Sequence, residues 1–181
     1  SRFSRLKELD CSNCNLRTLK PASIPSLEKL ICSGNLLDTL NLSRLSGLKY
    51  LDCSSNSIQT LKLPDTRSLN TLYCQNNLLT KLNLSGFLSL KKLNCSDNKL
   101  LEPDLRGCFP EELICNDNVI RTPMEFYDLS QFASPEDITI MENGIIDTSY
   151  RLTAINKLNP VKIRRRFTSA GTEQYGTQII Y

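Results

Sequence analysis

Eight cysteines and no histidine bound the chemistry open to this chain. Without histidine, the commonest general base and the commonest metal ligand are both missing. Cys11-x-x-Cys14 has the spacing of a metal knuckle or a redox dithiol. A zinc site would need two more ligands at suitable spacing, and here they would have to be cysteines. A redox pair needs a thiol at a helix N-terminus, where its pKa falls. A different chemistry is offered by Lys162, Arg164, Arg165 and Arg166, a basic run suited to phosphate, an acidic protein or a membrane surface. No aromatic residues interleave with it to stack single-stranded bases.

The spacing of the thiols speaks against reactivity. Cys11, Cys32, Cys53, Cys74 and Cys95 recur every 21 residues, and Cys115 extends the series. Each sits inside one repeated pattern, L-x-x-L-x-C-x-x-N-x-L, that starts at Leu6, Leu27, Leu48, Leu69 and Leu90. A fixed period of this size predicts a stacked solenoid, in which each repeat buries its apolar side against its neighbours. A disulfide framework would show irregular spacings and a weak apolar core. The cysteines are therefore read as reduced, small core residues, with no metal, cofactor or catalytic role, in a reducing compartment.

The positions around L-x-C alternate apolar and polar residues, as a half-buried strand does. Leu9 and Cys11 are predicted to face inward, with Glu8, Asp10 and Ser12 outward. Parallel strands of successive repeats would then stack about 4.8 Å apart into a curved sheet. Asn35, Asn56, Asn77, Asn98 and Asn118 form a column suited to satisfying backbone groups as the chain leaves the strand; Cys14 holds that place in the first repeat. The return segments, such as Thr39–Ser43 and Lys81–Ser85, alternate without a long helical pattern, predicting short extended pieces on the convex side. Beyond Leu100 the period loosens. A sixth repeat begins at Pro110 and a seventh at Pro135. Residues 123–133 and 148–158 are predicted helices, the first opening on a proline and the second capped by Asp147 and ended by Asn159-Pro160. The solenoid thus spans 1–146, with a capping helix and basic tail over 147–181. Val161–Tyr181 is either a strand finishing the cap or a tail that orders with a partner.

These repeats resemble the leucine-rich-repeat family, and their 21-residue length resembles the compact bacterial type found in internalin-like surface proteins and secreted effectors. The resemblance implies an α/β solenoid: a right-handed superhelix with a parallel concave β-sheet, an irregular convex side and one or two C-terminal helices. It also implies a protein–protein interaction module, a bacterial effector or adaptor acting on a host protein, secreted into the host cytosol or else cytoplasmic. Some such effectors carry a ubiquitin-ligase domain with a C-x-D motif, whose letters recur at Cys95-Ser96-Asp97 and Cys115-Asn116-Asp117. Both cysteines fall on the inward repeat position, so ligase chemistry is not assigned to these residues. A substrate-recognition part of a larger enzyme is one alternative, with its catalytic domain outside this chain; binding of nucleic acid or phospholipid through the basic tail is another.

Binding is expected where the pattern leaves outward residues free: Asp10, Lys29, Ile31, Tyr50, Asp52, Tyr73, Lys92 and Asn94. Tyr50 and Tyr73 stand out because tyrosine is enriched at interface hot spots. Charges nearby are mixed, and a net charge of +3 over 181 residues does not favour nucleic acid. No apolar run approaches the roughly 20 residues of a membrane span. The chain opens on Ser1, not methionine, so an export signal is expected upstream if there is one. The five residues before Leu6 would cover the first repeat poorly, leaving Leu6, Leu9 and Leu16 for more sequence or a partner.

Overall fold

The computed structural model describes residues 5–65, 68–101, 103–105, 107–108, 110–115, 117–119, 137–139, 161–169 and 172–180. In every repeat the alternation around L-x-C becomes a strand of three residues. They are β1 (Glu8–Asp10), β2 (Lys29–Ile31), β4 (Tyr50–Asp52), β6 (Thr71–Tyr73), β7 (Lys92–Asn94), β8 (Glu112–Ile114) and β9 (Asp137–Thr139). On the return side lie β3 (Thr39–Asn41) and β5 (Thr60–Lys62), and the chain finishes with β10 (Val161–Ser169) and β11 (Thr172–Ile180). The main sheet runs β1-β2-β4-β6-β7-β8-β9-β10-β11, and β3 and β5 pair separately. This is a solenoid built on parallel strands.

Register follows the 21-residue step. Leu9, Leu30, Leu51, Leu72, Leu93 and Leu113 form one inward column, and Ile138 continues it beside Leu113. Leu30, Leu51 and Leu72 are fully buried, with Cys32, Cys53, Cys74 and Cys95 stacked two residues further on. Burying a leucine of this kind contributes about 1.5–3 kcal/mol relative to leaving it in water. The convex side is short and extended among the described residues, with Thr39–Asn41 pairing with Thr60–Lys62 and Asn83 bridging Asp104. One 3-10 turn, Pro21–Ser23, lies in the first coil.

The asparagine column ties each coil to the one before. Asn77 Nδ2 donates to Cys53 O at 3.0 Å and Cys74 O at 3.1 Å, while its Oδ1 accepts from Ile58 N at 2.9 Å. Asn56 and Asn98 make the same bonds one coil earlier and later. The carbonyls of Cys32, Cys53, Cys74 and Cys95 therefore each receive two asparagines, one from their own coil and one from the next. Just before this asparagine the backbone turns left-handed: Asn13, Gly34, Ser55, Asn76, Asp97 and Asp117 all have φ between 51° and 66°. Asparagine, aspartate and glycine accept that conformation most readily, which explains five of the six choices and leaves Ser55 as the strained one.

The predicted helices over 123–133 and 148–158 lie outside the described residues. The final stretch takes the strand alternative in doubled form. β10 pairs antiparallel with β11, Arg165 opposite Gly176, and runs parallel to β9, with Ile163 beside Ile138 and Arg164 beside Thr139. Val161, Ile163 and Phe167 give β10 the branched and aromatic alternation of a strand. The basic run thus belongs to the main sheet.

Candidate interaction surface

The outward positions of the strands form two columns. Register places Glu8, Lys29, Tyr50, Thr71, Lys92 and Glu112 in one, and Asp10, Ile31, Asp52, Tyr73, Asn94 and Ile114 in the other. The eight residues expected to bind therefore share one face. Because β10 joins the sheet, register sets Arg164 beside Thr139 and Thr139 beside Ile114, so the backbone brings Lys162, Arg164, Arg165 and Arg166 into the same sheet.

At the centre of the face, Tyr50 and Tyr73 meet edge to face, with ring centroids 5.9 Å apart and planes at 87°. Both are half-buried, as is Ile31. Such an aromatic pair adds about 0.5–1.5 kcal/mol beyond its area. The Lys29 ammonium lies 5.7 Å from the Tyr50 ring centroid and 3.4 Å from Glu8 Oε2. Burial, with Asp52 and Tyr73 nearby, raises the Tyr50 hydroxyl above its ordinary pKa. Lys92 pairs with Glu112 at 3.1 Å, and that hydrogen bond raises its pKa.

Three of the expected binders also serve the chain itself. Ser54 donates through its N–H and hydroxyl to Asp52 Oδ1 at 3.0 and 2.6 Å. Ser12 does the same to Asp10 at 2.9 and 2.7 Å, and those bonds, the backbone one first, lower the Asp10 pKa. Asn94 Oδ1 accepts from Ser96 N at 3.1 Å. These local turns close the strand ends. The tripeptides Asp10-Cys11-Ser12, Asp52-Cys53-Ser54 and Asn94-Cys95-Ser96 were the sequence signal for them.

A second set of charged residues, paired at the strand entry, stands outside the repeat pattern. Glu28 accepts from Lys49 at 2.6 Å and also from Lys7, and these bonds hold its carboxyl down at about 2. Lys91 pairs with Glu111 at 3.2 Å in the same column, beyond Asn70. The signal was the alternation of sign one repeat apart, since residues 21 apart become neighbours.

Six of the thiols are buried. All eight are free. Burial pushes Cys32, Cys108 and Cys115 up to about 12, and Cys53, Cys74 and Cys95 well above the usual thiol range. The C-x-D cysteines, Cys95 and Cys115, therefore sit as neutral core groups. In the C-x-x-C pair Cys11 lies in the solenoid and is raised chiefly by burial, while exposed Cys14 donates to Ser12 O at 3.2 Å. Among the described residues no three metal-ligating side chains cluster, and no helix is long and apolar enough to cross a membrane.

The Leucine Rich Repeat family model matches residues 5–27, one coil of the stack. Two chains among solved structures match. One is the functional domain of InlJ from Listeria monocytogenes, described as including a cysteine ladder. It is 22% identical, over 76% of this chain and 40% of that one, with a TM-score of 0.40. The chain spans well under half the length of that structure. No curated protein matches.

Proposed function

We propose that this chain is a protein-binding module that takes its partner on the outward face of the main sheet, centred on Tyr50 and Tyr73. The observation that carries this reading is the orthogonal tyrosine pair, half-buried on adjacent coils at positions the repeat does not require to be aromatic. Two rigid, half-exposed rings supply contact area at low conformational cost, which is why tyrosine anchors interfaces. Lys29, Ile31 and Lys92 form the surround, and the basic run on β10 extends the same surface. The module acts as a bacterial effector or adaptor on a host protein. The short repeat type supports that assignment, and eight free thiols suit a reducing host cytosol.

The test is affinity capture from host-cell lysate with the wild-type chain and with Tyr50→Ala/Tyr73→Ala. Specific partners should be retained by the first and lost by the second. Retention by both, with loss on replacing Arg164–Arg166, would move the site to the basic strand.

A further inference from the structure

The charges on the strand face are not evenly available. Among the described residues, Lys7, Lys29, Lys49, Lys91 and Lys92 each reach a carboxylate on a neighbouring coil. Among the described residues Asp52 forms no ion pair. Its register neighbours are Ile31 on one side and Tyr73 on the other. Its Oδ1 accepts both bonds from Ser54, and Tyr50 lies two residues before it on the same strand. Beside the tyrosine corner Lys29 and Lys92 are each matched by a glutamate, so the unmatched charge at the centre of the face is the negative one on Asp52.

We infer that the Tyr50–Tyr73 corner beside Asp52 receives a cationic side chain, an arginine, from a basic segment of the partner protein. This deepens the proposed function and rests on that reading of the face. A guanidinium stacks flat on a tyrosine ring while forking onto a carboxylate, and a charge-assisted bond of that kind is stronger than a neutral one. The chain already shows the contact, with Lys29 set over Tyr50 at 5.7 Å. An acidic partner would meet the Asp52 carboxylate here, while the nearby lysines Lys29 and Lys92 already reach Glu8 and Glu112.

The structure supplies its own control substitution. Asn94 occupies the same column as Asp52 and accepts from Ser96 N as Asp52 accepts from Ser54 N. Asp52→Asn therefore keeps the turn and removes the charge. The experiment selects twelve-residue peptides from a random displayed library on the immobilised chain, with Tyr50→Ala/Tyr73→Ala as the counter-selection. Enriched peptides are synthesised and titrated in low and high salt. The expected result is enrichment of arginine, then lysine, with binding weakened at least tenfold by Asp52→Asn and by Tyr73→Ala, and weakened by salt. Thermal melts confirm that each variant is folded. Peptides that need the tyrosines but are acidic or neutral, or that bind Asp52→Asn as tightly, overturn the inference and leave the binding face standing. Peptides indifferent to both tyrosines, or no enrichment over the counter-selection, overturn both.

Discussion

Replacing Asn77 by alanine tests how one coil is held to the next. Asn77 is 6% exposed and makes bonds to Cys53 O, Cys74 O and Ile58 N. The two carbonyls do not become orphans, because Asn56 still donates to Cys53 O at 3.2 Å and Asn98 to Cys74 O at 3.0 Å. Ile58 N–H has no substitute. One buried, unpaired donor costs about 1–3 kcal/mol, and each carbonyl bond lost contributes about 0.5–1 kcal/mol more. The expected loss is about 3 kcal/mol, a large share of a domain's usual 5–15 kcal/mol. The redundancy gives a sharper outcome. In Asn77→Ala/Asn98→Ala the Cys74 carbonyl loses both donors, so the double variant should cost about 1–2 kcal/mol beyond the sum of the singles. Urea unfolding followed by circular dichroism measures all three, with trimethylamine oxide added to keep the double variant folded. A single-variant loss below about 1 kcal/mol, or strict additivity, would refute this account of the ladder.

Ser55→Gly should stabilise the chain by about 1 kcal/mol, because Ser55 holds φ 52° where glycine meets no steric penalty; a lower urea midpoint would count against it. Glu28→Gln should lower the melting temperature slightly at neutral pH and in low salt. Its carboxyl is depressed from 4.5 to about 2, so the ionised form's contribution is complete above 4.5 and fades as pH falls toward 2. The difference between wild type and variant should shrink over that window, and also in high salt, as suits an exposed pair. A thiol-alkylating reagent with mass-spectrometric mapping should label Cys14 first in the native chain. Cys53, Cys74 and Cys95 should react only after denaturant, since burial keeps them as neutral thiols.

The fold was legible because a solenoid writes its core as a period. Leu51, Cys53 and Asn56 announce their roles by recurring 21 residues on, and recurrence needs no knowledge of distant contacts. What the period could not report was anything made between neighbouring coils by residues outside the pattern. Glu28 between Lys7 and Lys49 reads as three unrelated charges until the coils stack. The left-handed turn at Asn13, Gly34, Ser55, Asn76, Asp97 and Asp117 was hidden because the six residues are not one type, although all but Ser55 favour one conformation. The closing strands were half visible. Val161, Ile163 and Phe167 alternate, but three consecutive basic residues mask the pattern, and only pairing with β9 and β11 resolves it. On the candidate site, listing outward residues gave membership without roles: it set Asp52 and Tyr50 side by side as equals.

They are not equals, and the difference explains how one face can serve folding and binding together. Along the second outward column the residues alternate by coil: Asp10, Ile31, Asp52, Tyr73, Asn94, Ile114. In alternate coils the side chain folds back to accept from Ser12, Ser54 or Ser96, which keeps it low on the sheet. In the coils between, a large apolar side chain stands up, with a low one on each side. Ile31 and Tyr73 are therefore spaced two strands apart, about 10 Å, with Asp52 at the floor between them. A partner's side chain can enter that gap; it could not if every coil carried an isoleucine or tyrosine. Asp52 closes its turn with one oxygen, so its charge need not be spent on the turn. Asp52→Ala would therefore confuse the two roles, costing about 1 kcal/mol in the turn as well as any binding, whereas Asp52→Asn separates them. Unchanged stability with lost binding would show that the charge is there for the partner and the shape for the fold.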